Sequence, residues 1–215
     1  MRHGLLIPLL LLVSACSRGG DRSPPARPPE RPVTILQPTP RDTRICFADL
    51  SRLGVQYSPL PDRDYGGGCS AIGAVQLIDI GVPVTGLKAM RCGLARAFIG
   101  WVDNAVAPAA YQQLGSQLVK IETFGTYACR QVAGTSRLSG HGIANAVDVS
   151  AFVLADGRRV SIRDGWTAPD PATRQFLDTI HRSACKRFGT VLSPDYNAAH
   201  QDHLHLEDDH AGFCR

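Results

Sequence analysis

His141, Asp148 and His205 are the residues of this 215-residue chain whose types and spacing could do chemistry. They sit in two short stretches, Ser139-Gly-His141-Gly-Ile-Ala144-Asn-Ala146-Val-Asp148 and Asp202-His203-Leu-His205. Two imidazole nitrogens and one carboxylate oxygen suit a borderline cation such as Zn²⁺. Three protein ligands leave a fourth position open, as catalytic zinc requires. An ion held that way lowers the pKa of a water and polarises a carbonyl. A single histidine is more often a surface or satisfied core residue, and the chain has seven. The combination of His, Asp and His-x-His is what points to a metal.

Those residues need strands to carry them. If 203–207 is a strand, His203 and His205 share one face while Leu204 and Leu206 turn to the core. Asp148 belongs to a second strand, 146–153, and could face the same cleft. Further strands are expected at 118–123, 126–130 and 190–193, with Asp156-Gly157 turning a hairpin into 159–162. Leu87, Met90, Leu94, Phe98, Trp101 and Val102 recur at helical spacing and read as core. Pro108 opens a second short helix closed by Gly115. Asp170-Pro171 caps another, with Phe176, Leu177, Ile180, Ala184 and Phe188 on one face and Gly189 at its end. Helices set apart from a mostly antiparallel sheet give an α+β domain.

The rest of the chain limits the setting. Basic residues are scattered and the net charge is +4, so nothing asks for nucleic acid. Arg2 and His3 precede an apolar run, Leu5–Val13, too short to span a bilayer and laid out like a secretory signal over residues 1–16. Val13-Ser14-Ala15-Cys16 resembles the lipobox of bacterial lipoproteins, in which the cysteine is lipidated; an ordinary signal peptide is the alternative. Residues 17–42 are Pro-rich and read as a tether, or as a tail without purpose. The folded domain is expected from Thr43 to Arg215, with residues 46–86 a loop-rich start. Setting Cys16 aside, the six remaining cysteines suit three disulfides in an exported domain. Cys46–Cys69 is an attractive local pair, and Cys214 could tie back to Cys185. No CxxC spacing occurs, which counts against a zinc finger.

The first motif resembles the SxHxxGxAxD motif of the zinc D-Ala-D-Ala carboxypeptidases and dipeptidases (peptidase family M15) and of related murein endopeptidases. Asp202-His203-Leu204-His205 resembles their second motif. Tyr127-Ala-Cys129-Arg130, the 188–205 run and Phe213-Cys214 are similar to the bacterial extensin-like C-terminal domain family, over residues 43–215. The resemblance implies a disulfide-stabilised M15-like zinc peptidase core with His141, Asp148 and His205 as ligands. It implies either Asp202 or His203 as general base, strand alternation favouring His203. Arg130 is similar to the arginine that stabilises an oxyanion, though a structural salt bridge fits its position as well. Ser139 would bind substrate or shape the loop. Ala144 replaces the family glycine, so the turn is expected to form with ordinary torsions.

The function so implied is a zinc-dependent peptidoglycan peptide hydrolase, a D,D-carboxypeptidase or an endopeptidase. It would be anchored through Cys16 at the periplasmic face of a bacterial membrane, in the cell envelope, with peptidoglycan as partner. The rival expectation is a non-catalytic cell-wall-binding lipoprotein whose metal is structural and whose coordination sphere is closed, for instance by His203.

Overall fold

The computed structural model describes Met1 and residues 37–215. The expected signal segment, Cys16 and most of the tether lie outside the described residues. Helix α1 (Pro40–Arg52) starts before the boundary expected at Thr43. The Thr39 hydroxyl accepts from the Asp42 N–H and the Asp42 carboxylate accepts from the Thr39 N–H, a capping box. Pro40 fills the first helical turn, where a missing N–H costs nothing. Proline density had masked that start signal.

The stretch expected to be loop-rich holds five short strands, and a sixth follows it. These are β1 (Gln56–Pro59), β2 (Arg63–Gly66), β3 (Cys69–Ala71), β4 (Ala74–Asp79), β5 (Val84–Thr85) and β6 (Met90–Arg91). β1, β4 and β6 form one small sheet, and β2 and β3 another. The helical pattern expected from Leu87 begins only at α2 (Cys92–Trp101). It then passes through a π-helical turn, Val102–Val106, into α3 (Ala107–Leu114). Pro108 has no N–H to donate, and the wider turn before it absorbs the missing bond, with Ala107 N–H reaching back to Val102 O. The two expected helices are therefore one continuous rod. Gly115 ends it in the left-handed conformation, φ 68°.

The main sheet follows: β7 (Leu118–Gly125), β8 (Ala146–Leu154), β9 (Arg159–Ser161), α4 (Ile162–Gly165), α5 (Pro171–Arg187), β10 (Thr190–Leu192), β11 (Leu204–Glu207) and β12 (Phe213–Cys214). Its strand order is β12-β10-β11-β8-β7-β5, with β9 against β8. The fold is α+β. The sheet is antiparallel through its middle and parallel at both edges, β10–β12 and β5–β7. The strand expected at 126–130 does not form. That segment instead leaves β7 for a narrow loop closed by Ser139 N–H to Arg130 O and by Val132 N–H to Arg137 O. Asp170 caps α5 as expected, and the helix ends on Phe188, one residue before Gly189.

One irregularity in β8 decides which way Asp148 points. Opposite β7, Glu122 pairs with Ala151 and Thr123 with Val149, leaving Ser150 as an extra residue. Val147 and Val149 before the bulge, and Phe152 and Leu154 after it, all reach the same core. Asp148 therefore faces the other side, a familiar use of a bulge beside a site. Ser150 Oγ donates to Glu122 O at 3.1 Å across the interruption. The core beneath is centred on Trp101, whose indole N–H donates to Ile180 O at 3.0 Å.

Three disulfides form, Cys46–Cys92, Cys69–Cys129 and Cys185–Cys214. The last was expected. Cys46–Cys69 is a correction: Cys46 lies on α1, which packs on α2 and meets Cys92 there. Cys69 instead pins β3 to the loop that leads to His141.

Candidate metal centre

Register brings the two strand residues together, since His205 on β11 lies directly opposite Asp148 on β8. Leu204 and Leu206 are fully buried, as the alternation required. His141 arrives on a 3₁₀ turn, Gly140–Ile143, entered through Ser139, whose hydroxyl accepts from the His141 N–H at 3.3 Å. Ser139 is itself buried. The turn exits through Ala144 at φ 55°, ψ 29°, a left-handed residue with a Cβ. The expectation of ordinary torsions there was wrong. Its N–H bonds to Gly140 O and His141 O, and its carbonyl accepts from Arg91 N–H at 2.7 Å. Those bonds hold a conformation that costs about 1–2 kcal/mol for an L-residue.

His141, Asp148 and His205 are all buried, and one donor atom from each lies within 4.8 Å of the others. His141 Nε2 is 3.0 Å from Asp148 Oδ2, and His205 Nδ1 is 2.8 Å from Asp148 Oδ1. The two inward nitrogens are 3.2 Å apart. Their outer nitrogens also face acceptors, so with a cation at the centre the ring protons would lie on the outer side. His141 Nδ1 faces the carbonyl of Thr126 at 3.2 Å, and His205 Nε2 faces the Glu207 carboxylate at 2.7 Å. Both partners only accept. With neutral rings, the inward atoms are then lone pairs converging on a carboxylate. Such a set could hold a cation, and its donor types are among those that zinc takes.

In the absence of an ion, a proton fills that role. Burial opposes charge on His205, but hydrogen bonds and charges from Asp148 and Glu207 outweigh it and raise its pKa to about 9. Burial pushes Asp148 up, and bonds from His141 and His205 bring it well below the usual carboxylate range.

A second layer lies beside this cluster. His203 Nε2 approaches Asp148 Oδ1 to 3.5 Å, while its Nδ1–H is anchored on Asp202 Oδ1 at 2.9 Å. The other Asp202 oxygen accepts from Arg163 Nη2 at 2.8 Å. Asp202 thus spends its carboxylate orienting His203. It lies in the turn before β11, where alternation does not govern it. The exposed ring of Phe124 packs edge-on against His203 at 5.7 Å. Arg130 is exposed and makes no ion pair among the described residues, so it is not the structural salt bridge that was one of its two expected roles.

Glu207 and His200 were missed. Glu207 continues the alternation of His203 and His205, which was the signal that could have found it. Its carboxylate packs on Gly140, where an added Cβ would lie 2.5 Å from the Glu207 carboxyl carbon. His200 sits on a separate turn, Ala198–His200, its ring 5.1 Å from His203 and 5.8 Å from His205. Burial lowers its pKa to about 4, helped by the charges of His203, His205 and Arg130 and opposed by Asp148.

These residues fall within a recognised family. The model of the extensin-like protein C-terminus matches residues 44–215. The chain belongs to the extensin-like C-terminal family. Neither the curated proteins nor the solved structures yield a match to it.

Proposed function

We propose that this extensin-like protein is an exported zinc-dependent hydrolase of peptide bonds in peptidoglycan stem peptides or cross-links, built on an M15-like core. The observation that carries the reading is the convergence of three lone-pair donors, their outer sides fixed by Thr126 and Glu207, beside an anchored histidine. Zinc held there would act as a Lewis acid and lower the pKa of water. His203, with Nδ1–H on Asp202 and Nε2 toward the site, is placed to take a proton from an attacking water and return it to the leaving amine. Asp202 orients it, which favours His203 over Asp202 as base. Arg130, exposed and without an ion pair among the described residues, is available to stabilise negative charge on the substrate carbonyl. Three disulfides support export. Anchoring through Cys16 at the periplasmic face of the envelope belongs to the same proposal.

The test incubates the zinc-loaded protein with defined muropeptide monomers and cross-linked dimers, read by mass spectrometry. Loss of one alanine marks a carboxypeptidase and splitting of dimers an endopeptidase. His203→Ala should lower the rate about 10²–10⁴-fold while retaining zinc. The second reading, a non-catalytic wall-binding protein with a closed metal site, is favoured by the 3.5 Å approach of His203 Nε2 to Asp148. It requires intact muropeptides and His203 bonded to the ion by X-ray absorption.

A further inference from the structure

We propose that His200 and His203 form a second, weaker transition-metal position adjoining the first, and that an ion there inhibits the protein by occupying its base. The inference rests on the reading of His141, Asp148 and His205 as the primary zinc site.

Four histidines crowd this corner, and each has one ring nitrogen tied to a fixed acceptor. His141 uses Thr126 O and His205 uses Glu207, as described. His203 Nδ1 is held by Asp202 at 2.9 Å, and His200 Nδ1 lies 2.8 Å from Asn197 Oδ1. The same Asn197 oxygen accepts from Ala199 N–H at 3.0 Å, which fixes the amide with its oxygen toward His200. His200 Nδ1 therefore carries the proton and Nε2 is the lone pair. An outer N–H donated to a carboxylate or carbonyl is how proteins prepare metal-binding imidazoles. His200, His203 and His205 each offer one donor atom, all within 4.8 Å of one another.

The primary site needs His205, which leaves His200 and His203 with an unused lone pair each. Asp148 can serve both positions. Its Oδ2 faces His141 at 3.0 Å, whereas Oδ1 lies between His205 Nδ1 at 2.8 Å and His203 Nε2 at 3.5 Å. A carboxylate shared in this way joins paired ions about 3.5–4 Å apart. The second position has two neutral ligands and one oxygen already shared, and it faces the charge of the first ion, so its affinity is lower. Because His203 is the base, filling this position removes the lone pair that would accept the proton.

The full chain, stripped with a chelator and then titrated with Zn²⁺ against a chromophoric competitor, tests this. Wild type should bind two equivalents, the second about tenfold or more weaker. His200→Gln should bind one, with the tight equivalent unchanged, and His141→Gln should lose the tight one. Hydrolysis should fall as zinc rises past the first equivalent, and His200→Gln should resist that fall. A single equivalent in wild type at millimolar zinc, or a second equivalent that survives His200→Gln, would overturn the proposal and leave the primary site standing. Binding of no zinc at all would overturn both.

Discussion

His205 and Asp148 face each other across the β11–β8 pair, with Nδ1 and Oδ1 2.8 Å apart. The contact follows from register and from the Ser150 bulge, which turns Asp148 out of the core that Val147 and Val149 enter. A one-residue slip of either strand would bury one partner and separate the pair.

Removing the carboxylate should therefore cost both stability and metal. Asp148→Ala leaves two buried imidazoles facing each other, and breaking a buried pair costs about 3–5 kcal/mol. Urea unfolding of the chelated protein should show a loss of that order. A thousandfold excess of zinc over its dissociation constant should stabilise wild type by about 4 kcal/mol and the variant not at all. An equal zinc-dependent rise of the midpoint in both proteins would sink the ligand assignment.

In the proposed zinc site, Glu207 would act on the metal through His205. Glu207→Gln keeps an acceptor for the ring N–H but loses the charge, so zinc affinity should drop about 10–100-fold. Gly140→Ala should produce a similar drop from the other side, because the new methyl collides with the Glu207 carboxylate. If the two act through one contact, the double variant should bind no more weakly than the worse single one. Competition titration with a chromophoric chelator reads all three.

The strand residues of this site were legible because period-two alternation carries them. His203 and His205 stand apart from Leu204 and Leu206 in sequence as they do in space. His141 was legible from its motif, whereas its contact with Thr126 O was not, since that bond joins residues far apart in sequence. The Ser150 bulge left no mark either: Val-Asp-Val-Ser-Ala-Phe-Val reads as a buried strand with or without it. Cys46 went to the wrong partner for a related reason. Proximity in sequence favoured Cys69, while the packing of α1 on α2 brought Cys92 within a Cα separation of 6.0 Å. Short strands such as β5 and β6 exist only through the neighbours they pair with, and no local pattern announces two-residue elements.

Ala144 offers a test of how tightly the His141 turn is specified. Its left-handed torsions cost about 1–2 kcal/mol, and its methyl is fully buried beside Ala71 and Ala74, worth about 0.8 kcal/mol. Ala144→Gly exchanges one for the other and should leave stability within about 1 kcal/mol of wild type. Ala144→Val adds a β-branch in a left-handed residue with no room, and should lose about 2 kcal/mol or more together with zinc affinity. Stability unchanged in the valine variant would mean that the turn adopts another conformation.

His181 should give the fold a pH dependence of its own, away from the candidate metal centre. It lies on α5 beside the Cys185–Cys214 disulfide, with the Trp166 ring at 5.4 Å. Burial lowers its pKa below 6.5, and the charges of Asp195 and Asp178 only partly offset that. In the unfolded chain the imidazole takes up a proton near pH 6.5, whereas the folded protein resists until lower pH. The stabilisation is therefore complete above pH 6.5 and is lost as pH falls through the window down to the depressed value. Its slope stays below the about 1.4 kcal/mol per pH unit of one full proton, because the ring is only partly buried. His181→Gln removes the titration, so urea unfolding at pH 7, 6 and 5 should show wild type losing more stability than the variant. Parallel losses in both proteins would place the acid sensitivity elsewhere.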